Sequence, residues 1–448
     1  MKKRLIYSRA TIFGIIGAAI IILAGCVIIQ LSAVSSREVE DRRLLEEANA
    51  ALALRIEEIM QQDELVFAAR DMFQDASWSH DGLRILARDW DSLRIWDAAT
   101  GTELFRLDVG DQERVHETLW KSDDSQILAH YANGAVRLWD TNSGEQRLIG
   151  VNGAFGAVWS HDESRILTWH GDPTIYDADT GELILGLAAP NSIFEAQWSR
   201  DDSRIFAWST SAVRIWDANT GDELVRIVQE GRISTAQWSE DESRIMTATE
   251  RGSKVWMWDA ITGEQLLALT LPEGSSAVRL NSDGTRITTR PVADLVHVWD
   301  AETGEELFTL DNEHPMFDQV RIGDVHWNAD ESRVLADSGL LDIFWIWDTS
   351  RNPARLLLTL PEQRWTSLNG VNWNSDYSRI IAGGRDVRIW DAVSGEELLS
   401  LTHPNSSEVI GFNPDETRLL TITRSSGYNP NIDRFAGIFV WDVSDVME

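Results

Sequence analysis

The chain has 448 residues, of which 43% are hydrophobic and 9% aromatic, so it holds enough apolar material for a packed core and wholesale disorder is not expected. Its formal net charge of −32 repels phosphate backbones and argues against general nucleic-acid binding. A single cysteine, Cys26, excludes an intrachain disulfide, a cysteine-rich metal site and a paired-thiol redox site.

The N-terminal segment has the pattern of a membrane anchor. Residues 1–9 are basic, and residues 10–34 are almost wholly apolar, which exceeds the roughly 20 residues that a helix needs to cross the hydrocarbon core. Because positive charge precedes the apolar run, the positive-inside tendency places residues 1–9 in the cytoplasm. We therefore predict a single-pass protein whose bulk is extracytoplasmic.

A second interpretation of this segment stays open at this point. Leu23-Ala24-Gly25-Cys26 resembles a bacterial lipoprotein signal, in which the cysteine is lipidated and becomes the mature N-terminus. The residues that follow Cys26 remain apolar, which fits a spanning helix better. Under both interpretations the protein is tethered to a membrane.

Residues 35–62 have the periodicity of a helix. Leu45, Leu52 and Ile59 recur every seventh residue among charged residues. Fewer than about four heptads do not establish a coiled coil, so we interpret this segment as a helical stalk or linker.

From residue 63 onward the chain repeats one unit, whose third predicted strand ends in an aromatic-Asp pair. Each unit opens on an aromatic or apolar residue and an Asp-containing turn, and most units close with a Thr-Gly turn into a Leu-rich fourth strand. Four short strands of this kind form one antiparallel blade, and spacings of about 37 to 51 residues are typical of propeller arrays. The nine pairs are Trp96-Asp97, Trp139-Asp140, Tyr176-Asp177, Trp216-Asp217, Trp258-Asp259, Trp299-Asp300, Trp347-Asp348, Trp390-Asp391 and Trp441-Asp442.

These units resemble the WD40-repeat family over roughly residues 63–442. The resemblance implies an all-β fold, a single β-propeller of four-stranded antiparallel blades, and a protein that holds partners rather than one that catalyses a reaction. The family's Gly-His pair before the first strand is absent here. The family's usual hydrogen-bond network among His, Ser, Asp and Trp is therefore not expected in full, and the repeats look like a divergent, bacterial-type form.

The number of predicted strands indicates how the array ends. Nine third strands are followed by only eight fourth strands, because the sequence ends soon after the last pair. Residues 63–68 match residues 222–227, which form a predicted fourth strand of an internal unit. We therefore predict that residues 63–448 form one propeller of nine blades, closed by strand 63–70, which removes an exposed sheet edge. An eight-bladed ring with one degenerate unit is the alternative.

Residues that break the repeat are the candidates for function. Six tryptophans lie outside the repeated positions: Trp90, Trp169, Trp208, Trp256, Trp345 and Trp365. The loop between the second and third strands lies, in the resembled family, on a rim used for partners, and aromatic residues with Arg are the composition of interface hot spots. The predicted partner-binding rim is Trp90, Trp169, His170, Trp208, Arg251, Arg290, Arg385 and Arg424. The competing interpretation is structural, with tryptophans filling space between blades and arginines neutralising carboxylates.

Two irregular insertions, residues 311–322 and 424–435, are further candidates for binding loops. The arginines that recur at one position of the second strand are interpreted as structural.

The sequence offers little for catalysis. It contains no phosphate-binding loop, zinc helix, EF-type calcium loop or nucleophile turn, and only His130 and His170 lie where metal or proton chemistry deserves a test. We predict no catalytic residue, no cofactor and no metal site.

The expected function is that of a membrane-tethered, non-catalytic scaffold or sensor for a protein or peptide partner. The alternatives are a propeller hydrolase or lyase with carboxylates at the central channel, and a structural subunit of an envelope assembly. Sequence alone leaves the partner and the oligomeric state open.

Overall fold

A computed structural model of the protein describes residues 64–89, 92–108, 114–149, 153–189, 191–249, 254–272, 275–281, 283–290, 295–310, 325–328, 330–337, 344–350, 354–360, 371–384, 386–403, 407–423 and 436–447. The predicted anchor at residues 10–34, the lipidation site at Cys26 and the stalk at residues 35–62 all lie outside the described residues. Within the ranges given above, no helix combines the length and the apolar character needed to cross a membrane.

The described residues form nine four-stranded antiparallel sheets, here called blades 1 to 9, so the nine-blade prediction is confirmed over the eight-blade alternative. In blades 1 to 8 the four strands, here called first to fourth, are adjacent in the sheet in chain order. Blades 2 to 7 belong to one compact unit, and blades 8, 9 and 1 belong to another.

The strands of the first unit follow in chain order. Blades 2 to 4 contain β6 (Val115–Trp120), β7 (Gln126–Tyr131), β8 (Val136–Asp140), β9 (Gln146–Leu148), β10 (Gly156–Trp159), β11 (Arg165–Trp169), β12 (Thr174–Asp177), β13 (Leu183–Gly186), β14 (Glu195–Trp198), β15 (Arg204–Trp208), β16 (Val213–Asp217) and β17 (Glu223–Ile227). Blades 5 to 7 contain β18 (Ile233–Trp238), β19 (Arg244–Thr249), β20 (Lys254–Asp259), β21 (Gln265–Thr270), β22 (Ser276–Leu280), β23 (Arg286–Arg290), β24 (Val296–Asp300), β25 (Glu306–Leu310), β26 (Val325–Trp327), β27 (Arg333–Asp337), β28 (Phe344–Asp348) and β29 (Arg355–Leu360).

The second unit joins the two ends of the described chain. Blade 1 contains β2 (Asp75–Trp78), β3 (Arg84–Arg88), β4 (Ser92–Asp97) and β5 (Glu103–Asp108). Blade 8 contains β30 (Val371–Trp373), β31 (Arg379–Ala382), β32 (Asp386–Asp391) and β33 (Glu397–Thr402). Blade 9 contains β34 (Ser407–Phe412), β35 (Arg418–Thr423), β36 (Gly437–Asp442) and β1 (Leu65–Arg70), and a short helix α1 (Ser444–Met447) follows it.

The N-terminal strand completes the last sheet. Strand β1 pairs antiparallel with β36, with Phe67 opposite Val440 and Ala69 opposite Ile438. Phe67 is buried in one cluster with Val440 of blade 9 and Trp96 of blade 1. This pairing is the one that the strand count indicates, and it covers the edge that β36 would otherwise expose.

The aromatic-Asp pair fixes the core and the following turn of each blade. In blade 4, Trp216 is buried, while Asp217 Oδ1 accepts hydrogen bonds from the backbone N–H groups of Asn219 and Thr220, both at 2.8 Å. These bonds, led by that from Thr220, hold the pKa of Asp217 below its usual value. The Asp therefore acts as a local turn cap, which explains how the repeat forms without the Gly-His element of the resembled family.

The turn between the first and second strands is built from side chains. In blade 4, Ser199 Oγ accepts from the backbone N–H of Arg204 at 2.9 Å and donates to Asp201 at 2.7 Å. Hydrogen bonds from Ser203 and then Ser199 lower the pKa of Asp201 to about 2. The fourth turn residue, Asp202, has φ +55°, a left-handed conformation that this network holds in place.

The residue at this left-handed position also connects neighbouring blades. Glu163 of blade 3 accepts hydrogen bonds from the backbone N–H of Ser122 in blade 2, at 2.6 Å, and from its hydroxyl, at 2.8 Å. Blade 1 has Gly82 at this position, and the donor position in blade 9 is Pro414, which has no N–H. A Cβ on Gly82 would lie 2.8 Å from Pro414 Cδ. Blade 1 therefore needs Gly at this position, and it has no use for a carboxylate there because Pro414 offers no N–H.

The arginines that recur on the second strand connect blades as well. Arg165 lies over the ring of Trp198, 4.5 Å from its centroid, and Arg204 lies over Trp238 at 4.9 Å. Each contact joins the second strand of one blade to the first strand of the next, so these arginines are structural at the positions described here.

Candidate functional site

Four residues selected from the sequence occupy equivalent positions in four different blades, near the end of the second strand. Trp169, Trp208, Arg290 and His130 lie opposite Gly156, Glu195, Ser276 and Glu117 respectively, near the start of the first strand. Their side chains therefore belong to the same edge of the respective blades.

Trp169 lies across a glycine and reaches the next blade. An added Cβ on Gly156 would lie only 2.2 Å from Trp169 Cζ2. The indole therefore fills the space that a side chain at residue 156 would take. Its Nε1 donates to the backbone oxygen of Phe194 in blade 4 at 3.2 Å. Trp169 is almost fully buried, and it acts mainly as a support that holds the residues beside it.

Two aromatic pairs adjoin Trp169, which is hydrogen-bonded to the backbone of Phe155 and of Phe194. The rings of Phe155 and His170 are 4.5 Å apart in an edge-to-face arrangement, and those of Phe194 and Trp208 are 5.2 Å apart. Phe155 is 54% exposed and Phe194 is 53% exposed. We call Phe155, Trp169, His170, Phe194 and Trp208 the aromatic edge of blades 3 and 4.

One carboxylate contacts the aromatic edge and a second is close to it in sequence. Trp208 Nε1 donates to Glu195 Oε2 at 3.3 Å, and Asp172, two residues after His170, accepts from the backbone N–H of Ala189 at 2.6 Å. Both acidic residues are exposed. Exposed rings with carboxylates beside them favour a ligand that combines apolar surface with positive charge.

The remaining candidates have different environments. His130 is buried in blade 2, its Nε2 lies 2.8 Å from the backbone oxygen of Ala154, and burial lowers the pKa of its imidazole. Arg290 is half-buried. Trp90, Arg251, Arg385, Arg424 and the insertions 311–322 and 424–435 lie outside the described residues, so the Arg part of the predicted rim is largely not described.

Sequence reasoning missed Phe155 and Phe194. Each stands just before a first strand, where the repeat has no fixed residue, so nothing in the pattern distinguishes them from loop residues. The available signal was that both lie opposite the end of a second strand that carries a non-repeated tryptophan.

The aromatic edge consists of aromatic rings rather than of a cluster of metal-binding side chains. Across the described stretches of the chain, no three His, Cys, Asp or Glu residues are placed to hold a metal ion. The features that do converge are exposed rings on two neighbouring blades, a composition typical of interface anchors.

Comparison with known proteins identifies the fold. No protein family and no curated protein matches the sequence. Among solved structures, the chain is similar to the computationally designed Ika8 protein, with 15% identity, coverage of 85% of this chain and 98% of that one, and a TM-score of 0.50. It is similar to the C-terminal WD40 domain of Sif2, with 13% identity, coverage of 71% and 94%, and a TM-score of 0.51.

A eukaryotic initiation factor gives a TM-score of 0.60 at 17% identity, with coverage of 80% of this chain and 92% of that chain. At these identities the likeness concerns architecture alone. Together with the nine four-stranded sheets, it shows that the fold is all-β and of the WD40-like β-propeller type, with nine antiparallel blades.

Proposed function

We propose that this protein is a membrane-tethered, non-catalytic scaffold or sensor that binds a protein or peptide through the aromatic edge of blades 3 and 4. One observation carries the proposal: Phe155 and Phe194, on neighbouring blades, each expose about half of their surface beside a second aromatic ring. Propellers of the WD40 type generally bind protein partners.

The chemistry of the edge defines the partner segment. Phe155 and Phe194 offer apolar anchors, the Glu195 carboxylate accepts a hydrogen bond from Trp208 next to Phe194, and the whole chain carries a net charge of −32. The favoured partner is a peptide segment in which apolar residues alternate with Arg or Lys, because its charge is complementary to that of the edge. Nucleic acid is disfavoured for the same electrostatic reason.

The experiment compares two double variants of the full-length chain, gently solubilised from membranes. Phe155→Ala with Phe194→Ala removes the anchors, whereas Leu183→Ala with Leu224→Ala removes exposed apolar residues from the fourth strands of the same two blades. Interface anchors typically contribute about 1–2 kcal/mol each or more. We expect at least a tenfold loss of partner recovery for the first variant and none for the second. Equal recovery from both variants would refute the aromatic edge as the docking surface.

The tether is proposed from residues 10–34 and Cys26, and it has its own test. Mass spectrometry of the mature N-terminus distinguishes an intact chain from one that begins with a lipidated Cys26. Either form in the membrane fraction supports tethering, and recovery of the protein in the soluble fraction contradicts it.

A further inference from the structure

The aromatic edge continues onto blade 2 through two histidines. His116 is exposed and immediately precedes Glu117, which lies opposite His130 in the strand register. The His116 and His130 rings are 5.5 Å apart. The exposed phenylalanines of blades 3 and 4 occupy the same position relative to the tryptophans of their second strands. Three consecutive blades therefore each present one exposed ring at an equivalent position, and we call these three residues the ring row: His116, Phe155 and Phe194.

The ring row does not extend to blade 1 or to blade 5. In blade 1 the equivalent residues are Gln74 and Arg88, and in blade 5 they are Ser234 and Ala248. None of these four residues is aromatic, so a ligand that follows the ring row meets three rings, one per blade.

Hydrogen bonds between blades hold the rings in place. His130 Nε2 lies 2.8 Å from the backbone oxygen of Ala154, the residue before Phe155. Because a carbonyl oxygen only accepts, Nε2 carries the proton and donates it. Trp169 Nε1 donates in the same way to the backbone oxygen of Phe194, at 3.2 Å. Each of these second-strand rings thus ties its blade to the segment that carries the next exposed ring, which preorganises the row for an extended ligand.

The spacing of the rings selects the conformation of that ligand. Packed sheets lie about 10 Å apart, so equivalent residues of neighbouring blades are separated by roughly that distance. A polyproline II helix rises about 3.1 Å per residue with three residues per turn, so it presents the same face about every 9 Å. An extended strand presents the same face about every 6.6 Å, and an α-helix about every 5.4 Å. A polyproline II segment therefore places one side chain of every triplet on each ring.

Carboxylates occupy matching positions on the two outer blades of the row. Glu117 in blade 2 and Glu195 in blade 4 each directly follow an exposed ring, and both are exposed. The equivalent residue in blade 3 is Gly156, which lies opposite Trp169. The two carboxylates are therefore two blades apart, the length of about six residues of polyproline II. A segment with two basic residues six positions apart complements this charge pattern.

We propose that the ring row binds a polyproline II segment that has proline at every third position and Arg or Lys beside the first and the third proline. The inference rests on the proposed function, because it takes the aromatic edge as the docking surface, and it specifies the conformation and spacing of the partner segment. Aromatic-lined grooves recognise such segments because the polyproline II helix is already formed before binding, so little conformational entropy is lost.

The test titrates fluorescently labelled peptides with the full-length protein, gently solubilised from membranes, and follows their anisotropy at pH 7.5. The period-three peptide consists of the triplets Arg-Pro-Ala, Ala-Pro-Ala and Arg-Pro-Ala in this order. The period-two peptide has the same nine residues with proline at every second position, which turns the prolines to different faces of the helix. A third peptide replaces each Arg of the period-three peptide by Glu. We expect the period-three peptide to bind at least fivefold more tightly than either of the others.

Equal binding of the period-two peptide or of the Glu peptide, or no binding of the period-three peptide, would overturn the proposal.

Two variants test the extension onto blade 2. His116→Ala removes the third ring, and we expect it to weaken binding of the period-three peptide at least fivefold. Leu148→Ala, at a 57% exposed position on β9 of the same blade, is the control and should leave binding unchanged. Glu117→Gln with Glu195→Gln keeps the side-chain oxygens and removes the charges, so binding should weaken and lose most of its dependence on salt. Unchanged affinity in His116→Ala would confine the site to two blades and refute the three-blade row.

Failure of this inference is distinguishable from failure of the proposed function. If Phe155→Ala with Phe194→Ala loses the recovered partner while the period-three and period-two peptides bind equally, the docking surface stands and the polyproline II assignment is wrong. If that double variant recovers the partner as well as wild type does, the docking surface itself is wrong.

Discussion

Replacing Phe67 by Ala tests the completion of blade 9 by the N-terminal strand. The Phe67 side chain is 4% exposed and lies between the cores of blades 9 and 1, beside Val440 and Trp96. A Cβ added to Gly101 would lie 2.7 Å from Phe67 Cγ, so the ring is closely enclosed on the blade 1 side. Phe67 therefore stabilises both its own sheet and the contact with the neighbouring sheet.

The expected loss follows from burial. Truncation of a buried Phe to Ala typically costs about 3–5 kcal/mol, since the transferred area and the residual cavity both contribute. Domains are stable by about 5–15 kcal/mol in total, so the change removes a large share of the stability. Val393→Ala, at a 69% exposed site of blade 8, should change the free energy of unfolding by no more than about 0.5 kcal/mol.

Urea denaturation of the full-length chain, followed by tryptophan fluorescence, measures the free energy of unfolding. Repeat arrays open locally, so hydrogen exchange of the β36 amides is the second readout. We expect faster exchange at Ile438 and Val440 in Phe67→Ala and native exchange in Val393→Ala. A loss below about 1 kcal/mol with unchanged exchange in β36 would refute the role assigned to β1.

Three further outcomes follow from the contacts. Gly156→Ala forces a methyl group against Trp169, so we expect a loss of about 1–3 kcal/mol in denaturation experiments and weaker partner recovery, whereas native behaviour in both would contradict the packing. Glu163→Ala loses the hydrogen bonds to Ser122 and keeps φ near +57°, so Glu163→Gly should be more stable than Glu163→Ala by about 1 kcal/mol, and the reverse order would exclude backbone strain there. Hydrogen bonds from the serines of its turn lower the pKa of Asp241 from 3.8 to about 2. The contribution of Asp241 to stability is therefore present above about pH 4 and is lost as the pH falls toward 2. A pH series of urea midpoints on wild type and Asp241→Ala checks this, and parallel curves for the two proteins would exclude it.

The candidate site was only partly accessible from the sequence. Trp169, His170 and Trp208 break the repeat and do lie on one edge, but Trp169 and Trp208 are largely buried supports. The exposed rings, Phe155 and Phe194, occupy loop positions that no repeat marks. The exposure of each ring depends on which other side chains pack over it. Those side chains belong partly to the neighbouring blade, so the local sequence pattern does not reveal them.

Trp256 of blade 5 shows the same limit. Sequence identified Trp256 as a tryptophan outside the repeat and assigned it no role. In the structure Trp256 is buried in one cluster with Phe206 and Trp208 of blade 4. Its partners lie on a neighbouring blade, so the pattern along its own strand does not identify them.

The sequence by itself determined the blade, favoured nine blades over eight, and indicated the strand that completes the last one. These follow from local rules, because turn residues, strand alternation and the aromatic-Asp pair recur at nearly constant spacing and each acts within a few residues. The tertiary structure alone decided which side chains are exposed, which tryptophans pack between blades, and how the carboxylate of a left-handed residue such as Glu163 accepts hydrogen bonds from the preceding blade. Those features arise from contacts between residues about 20 to 40 positions apart, so they depend on the packing of one strand or blade against another.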